Sequence, residues 1–400
     1  MLQAEQLHEE IIEKIDLTEN MEDDALIEVI HQVLEERSKK EYIPLQKKME
    51  LGTELFNAFR KLDILQSLIE DDEITEIMIN GTQNIFIEKG GRIYQSEKRF
   101  VSRKKLEDMV QQIVSKVNRI VNESSPIVDA RLEDGSRVNI VLYPIALNGP
   151  IVTIRKFPKD MITMEQLLKW GSVNEEIISF LKVLIYSKYN VFISGGTGSG
   201  KTTFLNALSQ YIPKDERVIT IEDSAELQIK DIPNLVRLES RNANVEGKGK
   251  ISIRDLIKSA LRMRPDRIIV GEVRGEEAID MLQAMNTGNE GSLSTGHANS
   301  PKDMISRLET MVLMGMEMPL SAVQRQIASA VDIIIHLGRF RDKSRKVTSI
   351  AEITGFENGE IQMNTLYEFV EREVENGKIK GDWIKKNELT KREKLLAAGY

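Results

Sequence analysis

A glycine-rich loop constrains this chain more than any other stretch, because few local structures are compatible with it. Its eight residues match the pattern G-x-x-x-x-G-K-[ST] at every fixed position. The apolar segment 190–194 before it predicts a buried strand, and residues 203–208 after it have helical composition. Backbone N–H groups converge in such a loop and the helix dipole adds partial positive charge, so the unit is typical of phosphate binding. The loop consists of Gly195, Gly196, Thr197, Gly198, Ser199, Gly200, Lys201 and Thr202.

The loop predicts a binding site for a nucleoside triphosphate, with ATP as the expected cofactor. Lys201 is expected to reach the β- and γ-phosphates, and the Thr202 hydroxyl is expected to face Mg²⁺. An ordinary glycine turn between a strand and a helix is the alternative. That alternative does not explain why four glycines, a lysine and a threonine occur together with both flanking elements.

The overall composition predicts a soluble protein of the reducing cytoplasm. Its 400 residues have room for two domains and an extension. No apolar run approaches the roughly 18 residues that cross a membrane, and the N-terminus lacks a signal-peptide core. Cysteine is absent, which excludes disulfides and thiolate metal sites. A net charge of −8 argues against direct binding to nucleic acid.

Changes in the hydrophobic pattern divide the chain into five segments. Residues 1–60 are highly charged and carry apolar positions at helical spacing, so we expect a helical extension. This extension could form a bundle or arm packed on the main body, or it could be a docking surface for a partner. We expect an α+β domain at 61–157, a linker at 158–172, an α/β domain with a mainly parallel sheet at 173–365, and a charged tail at 366–400.

An Asp-Gly pair within residues 133–137 predicts a β-hairpin in the first domain. A two-residue turn would mix apolar and charged residues on one face of the hairpin. We therefore expect Leu132 to pair with Val138, which sends Arg131 and Arg137 to the same polar face.

These two arginines and Arg155, which ends a further strand, are candidate catalytic residues. Phosphoryl transfer is accelerated by a cation placed on the transferring group, and a neighbouring subunit can supply that cation. The arginines could close over the nucleotide of this chain or of a neighbour. Taken one at a time, they are ordinary surface arginines.

Polar residues directly follow several apolar strands of the predicted parallel sheet, where ligands of such sheets bind. Glu272 is the sharpest candidate, because a carboxylate there can orient water for attack on a γ-phosphate. Gly271 fills the preceding position, where an aspartate for Mg²⁺ is usual. His297 ends another strand and could contact the γ-phosphate as a hydrogen-bond donor. Glu222, Asp223 and Glu226 form a second acidic patch, which could also be ordinary solvated loop charges.

Four stretches in fixed order resemble the secretion ATPase superfamily, which powers type II secretion, type IV pili and type IV secretion. The upstream residues 128–138 and 154–157 look like the CpaF/TadA branch of tight-adherence (Flp) pilus ATPases. The four-cysteine zinc module of many relatives is missing, so we expect no zinc. The four stretches are 195–203, which includes Thr203, 221–227, 264–275 and 295–300.

The resemblance implies a RecA-like ATPase domain and assigns the candidate residues to known motifs. Residues 195–203 would be the Walker A loop, and Glu222 with Glu226 would belong to the Asp box. Glu272 would be the Walker B glutamate, and His297 would mark the His box. The three arginines would be inter-domain arginines of a hexameric ring whose two-domain subunits open and close with ATP turnover.

The resemblance implies a cytoplasmic, homohexameric ATPase that drives pilus assembly or type II-like protein secretion. It would lie at the inner face of the cell membrane, held there by an inner-membrane platform protein. Two other hypotheses stay open at this stage. One is a motor for type IV secretion of DNA or effectors, and the other is a scaffold that binds nucleotide without hydrolysing it.

Overall fold

A computed structural model describes residues 2–15, 22–117, 119–157, 161–241, 243 and 248–400. The chain forms two compact units, Met1–Lys159 and Asp160–Tyr400, which we call the N-terminal unit and the C-terminal unit. Part of the predicted linker, residues 158–160, lies outside the described residues. Among those residues, no helix is both long enough and apolar enough to span a membrane.

The N-terminal unit begins with three helices that share an apolar core. Leu7 and Ile11 of the first helix pack with Leu34 of the second and Leu55 of the third. The helical spacing of apolar positions in this segment predicted helices, and a bundle was one of the two alternatives left open. The helices are α1 (Leu2–Lys14), α2 (Asp23–Lys40) and α3 (Leu45–Arg60).

A six-stranded antiparallel sheet with one long helix follows the bundle, which confirms the predicted α+β domain. The strand order is β3-β2-β1-β6-β5-β4, and α5 packs its apolar face onto the sheet through residues such as Leu106 and Ile113. The elements are α4 (Gln66–Glu70), β1 (Ile74–Asn80), β2 (Asn84–Lys89), β3 (Arg92–Gln95), α5 (Arg103–Lys116), β4 (Ile127–Arg131), β5 (Arg137–Val141) and β6 (Ile151–Arg155).

The hairpin of β4 and β5 has a different register from the predicted one. Ala130, rather than Leu132, pairs with Val138, because the five residues between the last paired residues are 132–136 instead of the expected 133–137. The Asp134 side chain accepts a hydrogen bond from the Ser136 backbone N–H at 2.9 Å and thereby organises this connection. A shift by two residues preserves the faces of a strand, so the prediction that Arg131 shares a face with Arg137 is correct.

The three candidate arginines are direct cross-strand neighbours. Arg131 lies opposite Arg137, and Arg137 lies opposite Arg155 on the next strand. We call this set the arginine row. Glu76 of β1 continues the same line, because it lies opposite Arg155. The sheet therefore concentrates positive charge over three adjacent strands.

The C-terminal unit contains a nine-stranded sheet of order β15-β14-β13-β12-β7-β11-β10-β8-β9. Six consecutive strands of this sheet, β12-β7-β11-β10-β8-β9, are parallel to one another, as predicted for an α/β domain. The strands are β7 (Val191–Gly195), β8 (Val218–Glu222), β9 (Leu235–Glu239), β10 (Arg267–Val270), β11 (Leu293–His297), β12 (Ile333–Arg339), β13 (Arg345–Glu357), β14 (Glu360–Glu375) and β15 (Lys378–Lys385).

Helices cover both faces of this sheet. Successive residues of β7 enter different apolar clusters, since Val191 and Ile193 belong to one cluster and Phe192 to the other. Both faces of the strand are therefore buried, as expected for a parallel sheet. The helices are α6 (Met164–Lys169), α7 (Glu175–Tyr186), α8 (Lys201–Ser209), α9 (Ile253–Ala260), α10 (Ala278–Asn286), α11 (Pro301–Gly315), α12 (Leu320–Ala330) and α13 (Glu393–Ala397).

The boundaries predicted for the ATPase domain are too narrow at both ends. Met164 and Leu167 of α6 are buried in the core of the C-terminal unit, so this part of the expected linker belongs to the domain. The expected tail at 366–400 contains most of β14, then β15 and α13. Leu366 and Tyr367 are buried in the same core. The segment was predicted as a tail because charged residues surround these two apolar residues in the sequence, so its composition does not indicate a buried strand.

Candidate nucleotide site

The glycine loop connects the end of β7 to the start of α8, as predicted. Gly200 caps α8 with φ of +92°, a left-handed conformation that favours glycine. At Gly195, a Cβ atom would lie 2.5 Å from both the Leu337 carbonyl oxygen and Ser199 Oγ. Glycine is therefore needed at both positions, once for the backbone angle and once for the close approach.

Lys201 lies at the first position of α8, and its side chain folds back along the loop. Its Nζ donates hydrogen bonds to the carbonyl oxygens of Gly195 at 3.1 Å and Gly196 at 3.0 Å. A third contact, at 3.2 Å, joins Nζ to Nδ1 of His297. The residue is only 7% exposed. This buried cation lies where the β- and γ-phosphates of a loop-bound nucleotide are expected.

His297 lies between Lys201 and Glu272. Because a lysine ammonium only donates, Nδ1 of His297 accepts and Nε2 carries the ring proton. Nε2 lies 2.9 Å from Glu272 Oε1. Burial lowers the pKa of His297 below its ordinary value of 6.5, and the Lys201 charge lowers it further, while Glu272 acts in the opposite direction. The ring is therefore neutral at pH 7.

Strand order explains why these three residues meet. β11 lies between β7 and β10 in the sheet, and all three strands are parallel. His297 pairs in register with Gly195, the first residue of the loop. Glu272 follows β10 by two residues, at the same carboxyl edge. Glu272 and His297 were predicted at strand ends and Lys201 in the glycine loop, and the sheet brings the three side chains together.

Glu272 also has a cationic neighbour, Arg274, that was not predicted from the sequence. Arg274 Nη2 donates a hydrogen bond of 2.7 Å to Glu272 Oε2, and this bond raises the pKa of Arg274. Glu272 Oε1 is buried and has no aligned hydrogen bond within the described residues. Its 2.9 Å contact with His297 Nε2 is not aligned as a hydrogen bond, so the lone pairs of Oε1 remain available to another donor such as water.

Glu222 ends β8 beside β10, but its carboxylate is used differently from that of Glu272. Its Oε2 accepts hydrogen bonds from the backbone N–H groups of Glu226 at 2.6 Å and Leu227 at 2.7 Å. Burial is the largest effect on this carboxyl group and raises its pKa. Glu222 thus shapes the loop that carries Glu226, while the Glu226 side chain lies near enough to Arg274 to raise its pKa.

Gly271 gives Glu222 the space it occupies. A Cβ atom at position 271 would lie 3.0 Å from Glu222 Cγ and 3.6 Å from its Oε2. An aspartate here, which the sequence analysis noted as usual, would press on the Glu222 side chain. The glycine and the glutamate on the neighbouring strand are therefore a matched pair.

A cleft of about 450 Å³ opens beside the loop. Gly196, Thr197 and His297 line one part of it, and Asp303 and Arg307 of α11 line another. The charge of Arg307 contributes to the lowered pKa of His297. α11 begins after Ser300, whose side chain caps it, and its contribution to the site was not predicted from the sequence.

Two arginines from the hairpin of β12 and β13 also contact the loop and were missed. Arg345 Nε donates to the Gly198 carbonyl oxygen at 2.8 Å. A Cβ atom at Gly198 would lie 3.4 Å from Arg339 Nη1. The basic run from 339 to 346 was the available signal. The arginine row belongs to the other compact unit, so its role at this site stays a prediction.

A mainly parallel sheet that presents a glycine loop, a lysine, a histidine and a glutamate at one carboxyl edge defines a P-loop ATPase fold. Residues 59–376 match the model of the family described as Type II/IV secretion system protein. The chain therefore belongs to that family, and it is an ATPase of the secretion superfamily.

Several known proteins are similar to this chain over most of its length. A putative conjugal transfer protein of Mycobacterium tuberculosis is 33% identical over 323 residues, which are 79% of this chain and 90% of that protein. The type IV secretion system protein VirB11 of Brucella suis is 31% identical over 303 residues, which are 69% and 84% of the two chains. The solved structure of the Legionella pneumophila ATPase DotB has a TM-score of 0.51 at 23% identity, covers 70% of this chain and 77% of that one, and supports the fold.

Proposed function

We propose that this chain is the cytoplasmic motor ATPase of a pilus or secretion machine and works as a homohexamer. The observation that carries the proposal is the convergence of Lys201, His297 and Glu272 on one sheet edge. Glu272 would accept a proton from the water that attacks the γ-phosphorus, and Lys201 would stabilise the charge on the phosphate oxygens. His297, which contacts both side chains, would fix the position of Lys201 relative to Glu272.

Mg²⁺ fits the donors of this site. The Thr202 hydroxyl follows Lys201 at the start of α8, and Glu222 Oε1 is buried without a hydrogen-bond partner in the part of the chain that the structure describes. Oxygen atoms of this kind are the ligands that Mg²⁺ prefers. The described residues include no group of three or more acidic or histidine side chains that could hold a metal alone. We therefore expect the ion to bind together with ATP, where it would neutralise phosphate charge.

We assign the arginine row a role at the nucleotide, supplied either within one subunit or from its neighbour in the ring. Three adjacent guanidinium groups in register form a surface suited to phosphate oxygens. A ring would explain why the row lies in a different unit from the glycine loop. In this proposal, subunits are peripheral to the inner face of the cell membrane and bind a platform protein there.

Two cargo classes follow from different observations. Residues 128–138 and 154–157 favour the tight-adherence pilus branch, with pilin as cargo. The names of the relatives from Mycobacterium tuberculosis and Brucella suis favour conjugal transfer or type IV secretion. Neighbouring genes would separate the two, since pilin and prepilin peptidase genes indicate the first and conjugation genes the second.

The test measures phosphate release and particle mass together, with and without nucleotide. We expect ATP hydrolysis by a particle of six chains, and loss of nucleotide binding in Lys201→Ala. A chain that binds ATP in stoichiometric amounts and never releases phosphate, even with its partner, would be a scaffold and would contradict the proposal. A monomer with full activity would contradict the ring.

A further inference from the structure

The helical bundle at the N-terminus has a very uneven distribution of charge. Residues 1–60 contain 15 acidic and seven basic side chains. Five of the seven basic residues lie within residues 37–48, where Glu41 is the one acidic residue. We call residues 37–49 the basic tip. It contains the C-terminus of α2, the connection to α3 and the first residues of α3, and the rest of the bundle is strongly acidic.

The basic tip also exposes large apolar side chains. Tyr42 is 88% exposed, Leu45 is 75% exposed and Met49 is 68% exposed. Between the first two, Ile43 is 9% exposed and packs in the bundle core near Leu51. The connection is thus anchored by Ile43, while the three apolar side chains project into solvent. Leu45 and Met49 are four residues apart on α3 and share a helix face.

Four lysines surround these apolar side chains. Lys39 and Lys40 end α2, and Lys47 and Lys48 lie in the first turn of α3. Lys47 contacts Glu50 at 3.4 Å, and Lys48 contacts Glu35 at 4.0 Å. Ion pairs on a protein surface contribute little, so they do not cancel the attraction of this cluster for an anionic surface.

We propose that the basic tip binds directly to the surface of an anionic phospholipid membrane. Tyr42, Leu45 and Met49 would enter the boundary between headgroups and acyl chains, and the lysines would contact lipid phosphates. The tyrosine suits this boundary because its ring is apolar and its hydroxyl is polar. The acidic remainder of the bundle would be repelled by the same surface, which orients the contact. This proposal goes beyond the motor function, in which a platform protein holds the chain at the membrane.

The test is sedimentation of the full chain with vesicles of phosphatidylcholine that contain about 30% phosphatidylglycerol. We expect binding that weakens with salt and is absent on pure phosphatidylcholine. The variant K39Q/K40Q/K47Q should bind less, by about fivefold for each lysine removed. The variant Y42S/L45S should lower binding by about tenfold, because it removes the apolar insertion. All five side chains are exposed, so both variants should fold.

A matched control is V374S/K378Q/K380Q, which changes an exposed valine and two exposed lysines of the C-terminal unit. It should bind vesicles like the unaltered chain. Equal losses in the control, or no binding to anionic vesicles at low salt, would overturn the proposal. It is also overturned if Y42S/L45S changes the particle mass in the absence of lipid, since the tip would then be a contact between chains. Because sedimentation does not depend on ATP hydrolysis, its failure leaves the motor function untouched.

Discussion

His297 is the side chain that connects the phosphate-binding loop to Glu272. Its Nδ1 lies 3.2 Å from Lys201 Nζ and its Nε2 lies 2.9 Å from Glu272 Oε1. Only the neutral ring can accept from the lysine ammonium. A protonated ring would place two cationic donors against each other and would separate Lys201 from the strand that carries His297.

ATPase activity should therefore fall in mildly acidic solution. Burial and Lys201 lower the pKa of His297 below 6.5, so the neutral ring persists at pH 7. It is lost only as pH falls through the lowered value. The stabilising effect of the neutral ring on folding should follow the same course, fully present above pH 6.5 and lost below the folded-state pKa. A pH–rate profile checks this, and a His297→Gln variant should lack this acidic limb. A profile unchanged by the substitution would contradict the assignment.

Gly271 and Glu222 supply a second prediction at this scale. In Gly271→Ala the new Cβ would lie 3.0 Å from Glu222 Cγ, so the carboxylate must shift away from the N–H groups of Glu226 and Leu227. We expect a loss of about 1–3 kcal/mol in the free energy of unfolding, together with lower ATPase activity. Denaturant titration measures the first. Gly355→Ala is the control, since nothing lies within 4 Å of its Cβ position. Equal effects at both sites would refute the steric account.

At the level of single residues, the sequence was sufficient for groups that follow a strand directly. Glu272 and His297 were predicted at one edge because a parallel sheet gathers its strand ends there, and Lys201 was predicted from the glycine-loop pattern. Arg274, Arg307 and Arg345 were missed, because their positions depend on how a turn, a helix and a hairpin pack beside the loop. No periodicity in the sequence encodes that packing.

β10 has a buried residue that stabilises the fold at one end and a candidate catalytic residue just beyond the other end. Arg267 begins the strand, is fully buried and forms a two-point contact with the Glu216 carboxylate. It also donates to the Gly291 carbonyl oxygen at 3.1 Å. Glu272 lies beyond the other end of the same strand. The buried pair therefore fixes the strand that positions the candidate catalytic carboxylate.

Arg267→Ala should lower the free energy of unfolding by about 3–5 kcal/mol, because the buried Glu216 carboxylate loses its two-point contact and keeps the longer ion pair with Lys188 at 3.8 Å. Urea unfolding followed by circular dichroism measures this change. The double variant R267M/E216L should cost less than Arg267→Ala, since it removes both charges. A double variant that is less stable than the single one would show that the ion pair itself, rather than the avoidance of a lone charge, stabilises β10.

At the scale of secondary-structure elements, helices with a long apolar periodicity could be predicted from the sequence, and the strands at the edge of the large sheet could not. The helices α7 and α11 begin after Asn174 and Ser300, which act as N-caps as their residue types indicate. Most of β14 and all of β15 were assigned to a charged tail, because charged residues are frequent in this stretch. In the structure β14 pairs with β13, and β15 pairs with β14, so each strand adds to the edge of the preceding one, which its own composition does not indicate.

At the scale of the whole molecule, the arginine row tests whether the two units act together. Arg137 is the central member, with Arg131 and Arg155 opposite it on either side. Arg137→Ala should lower the ATPase rate by about 10³-fold or more if the row stabilises the transferring phosphate, while nucleotide binding is retained. Arg92→Ala is a matched control on an exposed edge strand of the same sheet. An equal loss in the control, or none in Arg137→Ala, would exclude this role.

The assembly is the level at which the sequence was least informative. The motif order identified the superfamily, and the family match bears this out. The number of subunits, the partner and the cargo depend on surfaces whose complementary half lies on another molecule. The sequence of one chain therefore identifies the family, while the number of subunits, the partner and the cargo are determined by experiment.

In the proposed mechanism Glu272, held beside His297 and Arg274 at the edge of the sheet, activates water for attack on the γ-phosphate. The most direct test compares ATP binding with phosphate release in Glu272→Gln, which keeps the size of the side chain but removes its basicity. We expect ATP binding close to that of the unaltered chain, with phosphate release lowered by about 10²-fold or more. Phosphate release at the normal rate from this variant would show that Glu272 does not activate the water.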